Sequence, residues 1–560
     1  MHDVVIRGGT VVDGTGRPGF AADVALAGGR VAAVGRVSGR GREEVDARGQ
    51  IVAPGFIDVH THYDAQYLWD PYATSSIWHG VTTTVIGNCG FAIAPCRPAH
   101  RDAIVRTLVN VEGMSLKAMQ AGIRWGFESF PQYLDFLDEC RPALNVGAFV
   151  PHSTVRYWVM GPAAQQREAT EAELVQMEAL VREAMQAGAI GFASSTLEAH
   201  NGEGGVPVPS RLGSFDELLR LNRAMGQSGK GVFEITVGAK TSLDDLARIA
   251  RASGRPAIGA AFVHREDMPH ETFAALKTAE ACAREGVELR LQISCRPVTM
   301  DFNIGDPYCF GGLDVWSALF KRPKGEWPAA FRDPAFRQSF RDNLKRRHLA
   351  PFRGRWDLLR VRKVARAENR VYEGLTVPEL ARRMGKDEVD AVLDLALLDD
   401  LGTELAGGLM NTDDEVVGQL VTHPRTLVSL SDAGAHLHLF CDAGYTGTLL
   451  GKWVREKRRL SLEEAVRRVT SDPADLYRIP ERGRLQPGAW GDVVVFDAER
   501  VDALPIEWVQ DLPGGEGRFI SRAQGVSHSL VNGVPVLRAG EIVERPAAAR
   551  PGQMLRTFTA

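Results

Sequence analysis

The chain has 560 residues, 44% of them hydrophobic, which is enough for a large soluble core and too many for one minimal domain. The 66 basic and 70 acidic residues leave a net charge of -4, which gives no footing to a nucleic-acid or anionic-membrane partner. The 7 scattered cysteines form no disulfide framework, Met1-His2-Asp3-Val4 begins no basic-then-apolar leader, and no run nears the ~20 apolar residues of a membrane span, so a cytoplasmic setting is expected.

Residues 1–52 read as short strands joined by glycine turns: Val4-Val5-Ile6, Val11-Val12, Val24-Ala25-Leu26 and Val31-Ala32-Ala33-Val34, punctuated by Gly8-Gly9 and Gly28-Gly29. That stretch is too small for a secure core of its own. Its partner is expected at the other end, where Asp492-Val493-Val494-Val495-Phe496-Asp497 precedes Leu530-Val531-Asn532-Gly533-Val534-Pro535-Val536. Asn-Gly between β-formers is a strong hairpin signal. A small β-sandwich domain built from residues 1–52 and 483–560 is therefore expected, with residues 53–482 inserted into it.

The inserted region opens on Pro54-Gly55-Phe56-Ile57-Asp58-Val59-His60-Thr61-His62-Tyr63-Asp64. Side chains alternate along a strand, so His60 and His62 point the same way, about 6–7 Å apart, and can share a metal ion. A polar strand end holding two histidines is the alternative for this pair alone. Next, Val81-Thr82-Thr83-Thr84-Val85-Ile86 delivers Gly87-Asn88-Cys89-Gly90. A lone cysteine after a strand is usually a small buried hydrophobe, but a thiolate beside two imidazoles makes a good zinc ligand set.

Further along, Thr170 and Glu173 form a capping box, Leu174, Met177, Val181 and Ala184 share one helix face, and Gly188 closes the helix. It feeds into the strand-like Ala189-Ile190-Gly191-Phe192-Ala193. Candidate strands end near His62, Cys89, Val150, Ala193, Val237, His264, Ser294 and Asp432. Strands alternating with helices argue for an α/β chain, and this series for a (β/α)8 barrel with functional groups at the C-terminal strand ends. The region exceeds the ~250 residues of a typical barrel, so insertions are placed near 97–142 and 297–425. The second is aromatic and basic (Trp316, Phe320, Trp327, Phe331, Phe336), which suits either a lid or helices packed on the barrel exterior.

The strand-1 string resembles the signature of the amidohydrolase superfamily, and the Cys89 string is similar to the second-strand motif of its N-acyl-D-amino-acid deacylase (D-aminoacylase) branch. Val150-Pro151-His152-Ser153-Thr154-Val155-Arg156 is similar to that family's Gly-His-Gly-Thr-Leu-Arg stretch, Gly188 to Ser195 to its strand 4, and Ser431-Asp432-Ala433-Gly434 to its strand-8 Ser-Asp-Gly. Gly483-Arg484-Leu485-Gln486-Pro487-Gly488 resembles the superfamily's return to the β domain. The resemblance implies a zinc enzyme in which Cys89 is a ligand and Asp432 is the general base that touches both metal and water. It also brings His152 and Arg156 forward as substrate-binding candidates. The bridging lysine that many binuclear relatives carry on strand 4 is missing here, where Ala193-Ser194-Ser195-Thr196 stands.

The family's strand-5 histidine is missing too. Thr236 stands about where it should fall, while His264 on strand 6 and Glu234, on the same strand face as Thr236, remain ligand candidates. The expected cofactor is one tightly held zinc on His60, His62, Cys89 and Asp432, with His264 and Glu234 at most completing a weaker second site. The expected reaction is hydrolysis of the amide of an N-acyl-D-amino acid or related small compound, aided by a metal that acidifies water and polarises the carbonyl. Asp432 takes the proton and passes it to the departing amine. The free carboxylate of such a substrate calls for a guanidinium fork, for which Arg296 is preferred to Arg156. The rivals are a cyclic-amide hydrolase of the dihydropyrimidinase and hydantoinase type, and a non-catalytic scaffold that has lost its metal. The sequence leaves the oligomeric state open, a homo-oligomer included.

Overall fold

Parallel strand pairing builds the centre of the molecule. The computed structural model describes every residue except 347, 349, 439, 440 and 560. The central sheet has eight strands: β1 (Phe56–Asp58), β2 (Val81–Ile86), β3 (Asn145–Pro151), β4 (Gly191–Ser195), β5 (Val232–Thr236), β6 (Ala257–Phe262), β7 (Leu289–Ile293) and β8 (Thr426–Val428). They lie in sequence order with every neighbouring pair parallel. A parallel bridge between Thr61 and Ala433 joins the first and last at their C-terminal ends. Each strand is covered on both faces, which is why a β-branched run such as Val81–Ile86 is buried at every position.

Ile57, Val85, Ala193, Val232, Ile258 and Leu427 meet inside the barrel in one apolar cluster, closed from below by Tyr477, Ile479 and Phe558. Outside it lie the crossover helices. The helix Glu171–Ala187 begins in the expected capping box of Thr170 and Glu173, ends at Gly188 with φ 111°, and buries Leu174, Met177, Val181 and Ala184. The largest offsets from the expected strand ends are at β1 and β8, which stop at Asp58 and Val428 because the chain beyond them turns to form the site.

Both termini contribute to one nine-stranded sheet. Its seam is the antiparallel pairing of Ile51–Pro54 with Val493–Phe496. Asn532 and Gly533, at φ 47° and 78°, make the turn between Val526–Val531 and Val534–Arg538, with the two positive φ values a type I′ hairpin requires. The last residues behave differently from the 483–560 assignment. Met554 bridges to Val146 of β3, and Phe558 joins the cluster at the base of the barrel. A short tail whose large apolar residues are Met554, Leu555 and Phe558 carries no periodicity that would announce this.

The segment between β2 and β3 folds into three helices, α1 (Arg101–Val111), α2 (Leu116–Gly122) and α3 (Phe130–Cys140). The segment between β7 and β8 is a lobe with its own core rather than a layer of helices on the barrel. Its antiparallel sheet joins Val298–Asn303, Glu404–Met410 and Leu359–Lys363. Around it Trp316, Trp327, Phe331, Phe336 and Phe340 pack into a cluster separate from that of the barrel. Among the described residues, no helix is long and apolar enough to cross a membrane.

Candidate metal centre

Beyond β1 the chain stays extended. The Thr61 backbone N–H and hydroxyl both donate to the Val85 carbonyl, at 3.1 and 2.8 Å, and the His62 N–H donates to the Ala433 carbonyl at 2.7 Å. With Thr61 tied to its neighbours, His60 and His62 project together, their ring centroids 5.4 Å apart. Both are buried. The alternation read from the sequence therefore holds even though regular strand pairing ends two residues earlier.

Cys89 reaches the same point from the end of β2 through a left-handed turn, with Gly87, Cys89 and Gly90 at φ 80°, 57° and 71°. A Cβ at Gly87 would stand 2.7 Å from the Phe149 carbonyl oxygen, so glycine is required there. The Cys89 N–H donates to Glu234 Oε2 at 2.9 Å, and its Sγ lies 3.5 Å from His60 Nε2. Asp432, beyond β8, also sits at positive φ, 47°. Its Oδ1 is 3.1 Å from His60 Nε2 and 3.6 Å from His62 Nε2. Non-glycine residues in this region cost roughly 1–3 kcal/mol each and recur at functional sites, where the surrounding structure holds them.

The donor atoms of His60, His62 and Cys89 all lie within 4.8 Å of one another. Two imidazole nitrogens, one sulfur and an adjacent carboxylate form a mixed set that suits zinc. Charge makes the same demand. Burial alone would lower both imidazoles, yet Cys89 and Asp432 hold His60 well above 6.5, and Glu112, Asp432 and Cys89 do so for His62. Burial would raise Asp432, but its contacts with the two histidines hold it well below the usual carboxylate range. A pocket whose anionic donors call for positive charge fits a divalent cation. His60 Nδ1 donates to Gln292 Oε1 at 2.8 Å, which turns Nε2 towards the Cys89 sulfur and Asp432.

Glu234 and Thr236 face the barrel interior, as their shared strand face requires. Glu234 holds the Cys89 backbone, while its Oε1 has no hydrogen-bond partner among the described residues. Burial lifts Glu234, Asp58 and Asp64 to about 7 each. The Thr236 hydroxyl donates to Cys89 Sγ at 2.9 Å. His264 is buried with Nδ1 2.9 Å from Thr272 Oγ1, and neither it nor Glu234 belongs to the converging donor group among the described residues.

Two substrate-binding candidates have another occupation. His152 and Arg156 sit on α4 (His152–Met160), where both engage Glu217 of the helix Phe215–Gly226. Arg156 Nη1 is 2.5 Å from both Glu217 oxygens, and His152 Nδ1 is 2.8 Å from Ser194 Oγ. Ser194 follows Phe192 on the helix-facing side of β4, whereas Ala193 lines the interior, so this network lies in the layer between strands and helices. Arg296 is different. Its Nε is 3.6 Å from Asp442 Oδ1, and its buried Nη1 has no hydrogen-bond partner among the described residues. Burial raises Asp442 to about 6 despite that arginine.

Sequence reading missed Gln292 and Glu112, which face the outer ring nitrogens of His60 and His62. Asp64 sits inside the first motif and was findable there, but Glu112 lies at the end of α1 with no local signal.

A family model described as "Amidohydrolase family" matches residues 43–537. The N-acyl-D-glutamate deacylase of Alcaligenes xylosoxydans xylosoxydans is 29% identical, over 99% of this chain and 96% of that protein. The structure of N-acyl-D-glutamate deacylase from Bordetella bronchiseptica, complexed with zinc and a phosphonate inhibitor, is 28% identical with a TM-score of 0.68, covering 99% of this chain and 100% of that one. A D-aminoacylase structure described as having a binuclear metal centre, with one-metal activation and second-metal attenuation, is 25% identical with a TM-score of 0.66 and full coverage of both chains, 100% each.

Proposed function

This chain belongs to the amidohydrolase family, and on that premise we propose that it is a metal-dependent hydrolase of carbon–nitrogen bonds other than peptide bonds, acting on N-acyl-D-amino acids. The observation that carries the reading is the convergence of His60, His62 and Cys89 donors within 4.8 Å, with Asp432 Oδ1 3.1 Å from His60 Nε2. His60, His62, Cys89 and Asp432 would hold zinc. Bound there, the ion supplies Lewis acidity that acidifies water and polarises the substrate carbonyl.

The protein's own groups do the rest. Asp432, beside the donor cluster, has a partly exposed side chain, 24%, against 1% and 3% for His60 and His62, so it meets whatever enters. Held ionised by the two histidines, it accepts the proton of the attacking water and returns it to the departing amine nitrogen. The unpartnered Nη1 of Arg296 is the group we assign to the substrate carboxylate, since the Arg156 fork is taken by Glu217. The D configuration of the substrate is supported by the relatives, an N-acyl-D-glutamate deacylase and a D-aminoacylase. The cyclic-amide reading has against it Cys89 among the donors and the Ser194-Ser195 pair where a bridging lysine would stand.

The test is a hydrolysis screen of N-acyl-D- and N-acyl-L-amino acids, together with cyclic amides, using zinc-loaded protein. Turnover confined to N-acyl-D-amino acids is expected. Preference for a hydantoin or for L-substrates would overturn the assignment.

A further inference from the structure

The two histidines of the site differ in what faces their second ring nitrogen. For His60 it is the neutral amide oxygen of Gln292, 2.8 Å from Nδ1 and itself anchored by a 3.0 Å hydrogen bond from Gln292 Nε2 to Ser429 Oγ. For His62 it is a carboxylate, Glu112 Oε1, 3.5 Å from Nδ1, an ion-pair distance at which Nδ1 makes no hydrogen bond among the described residues. Glu112 is 2% exposed and follows the last turn of α1, its N–H donating to the Leu108 carbonyl at 2.9 Å. Its other oxygen, Oε2, is 3.9 Å from His436 Nε2, and its backbone carbonyl accepts from the His436 N–H. Among the described residues its ion pairs are with these two imidazoles, and no lysine or arginine pairs with it.

A carboxylate buried without a cationic partner is strongly disfavoured, and the groups that pair with Glu112 and can offset its charge are these two imidazoles, at 3.5 and 3.9 Å. A ring that points one N–H at a carboxylate turns its other nitrogen outward as a lone pair, and such an outer partner raises the basicity of the donor. His62 Nε2, on the opposite side of the ring, is the atom that faces Asp432 Oδ1. The Glu112 oxygens lie on the Nδ1 side and so serve the ring rather than the converging donor group.

We propose that Glu112 is a positioning residue for His62, keeping the proton on Nδ1 and the Nε2 lone pair directed at the metal position. The three helices α1 to α3 then have a chemical task, because they deliver this carboxylate although none of them carries a member of the donor set. Through the His436 backbone contact, Glu112 also ties that segment to the loop following Asp432. This inference rests on His62 being a metal ligand, as read above.

The experiment is zinc titration against a chromophoric chelator for the wild-type protein and Glu112→Gln, with the thermal midpoint of each metal-free protein measured alongside. Cobalt replaces zinc in a second series, in which sulfur-to-cobalt absorption reports whether the ion sits against Cys89. Glu112→Gln is expected to bind zinc about 10- to 100-fold more weakly, with the metal-free midpoint not lowered and the sulfur-to-cobalt band retained at saturation. If Glu112→Gln does not fold, Glu112→Asp keeps the charge and shortens its reach, and the same loss of affinity is expected. A folded variant with wild-type zinc affinity overturns the proposal, whatever its midpoint. A wild-type protein that binds no zinc, or shows no sulfur-to-cobalt band, would instead overturn the metal-centre reading on which it depends.

Discussion

The hydroxyl of Thr236, on β5, donates a 2.9 Å hydrogen bond to the sulfur of Cys89, 147 residues earlier in the chain. A threonine hydroxyl steadies a sulfur ligand but is a poor ligand itself, so the position that would serve a second ion is spent on orienting the first. Together with the absence of His264 from the converging donors among the described residues, this leads to a metal count.

After extensive dialysis, about one zinc per chain is expected by elemental analysis, and Cys89→Ala and His60→Ala should each lower it. Thr236→His should allow a second ion to be retained. Two zincs surviving dialysis of the wild-type protein would contradict the assignment.

Asp432→Asn should leave the fold intact and reduce kcat by about 10²- to 10⁴-fold, because the amide has no basic oxygen to accept a proton. Steady-state kinetics on metal-replete protein decide this. Near-normal turnover would remove Asp432 from the proton path.

The two arginines should separate cleanly. Arg296→Met should raise KM for acyl amino acids while sparing the matching uncharged amides. Arg156→Met should instead destabilise the protein, by about 3–5 kcal/mol, because it takes the guanidinium from the Glu217 carboxylate, which is 1% exposed, and leaves it His152 as its remaining ion-pair partner among the described residues. Denaturation and kinetics on both variants would show whether binding and stability divide in this way.

His79 gives a pH dependence. It is 1% exposed, its Nε2 donates to the Ser521 carbonyl at 3.0 Å, and burial lowers its pKa from 6.5 to about 4. Between those values the unfolded chain binds a proton that the folded one refuses. Its contribution is therefore whole above pH 6.5 and is lost as pH falls towards 4, by up to about 3 kcal/mol. Thermal midpoints at pH 7.5 and pH 5 should drop more for the wild type than for His79→Gln. Equal drops would mean that His79 is protonated in the fold.

Much of the candidate site was legible because each candidate ligand is announced locally. His60 and His62 follow a strand with period-two geometry, Cys89 stands between glycines after a β-branched run, and Asp432 follows Ser431 just beyond the last strand. Strand direction and a tight turn aim such side chains with little help from elsewhere. The same local rules announced the helix between Thr170 and Gly188 and the Asn532-Gly533 hairpin.

What only the tertiary structure decided is which charged groups are already engaged. Arg156 and Arg296 look alike as residues near strand ends, but Glu217, 61 positions from Arg156, closes on the first and leaves a nitrogen of the second open among the described residues. Glu112, 50 positions from His62 by their numbers, has no motif of its own and acquires its role only when α1 ends against that ring. Periodicity and turn chemistry act over a few residues and can be read along the chain. Ion pairing and burial act through space, between segments that the sequence keeps far apart, and so they appear only once the chain has folded.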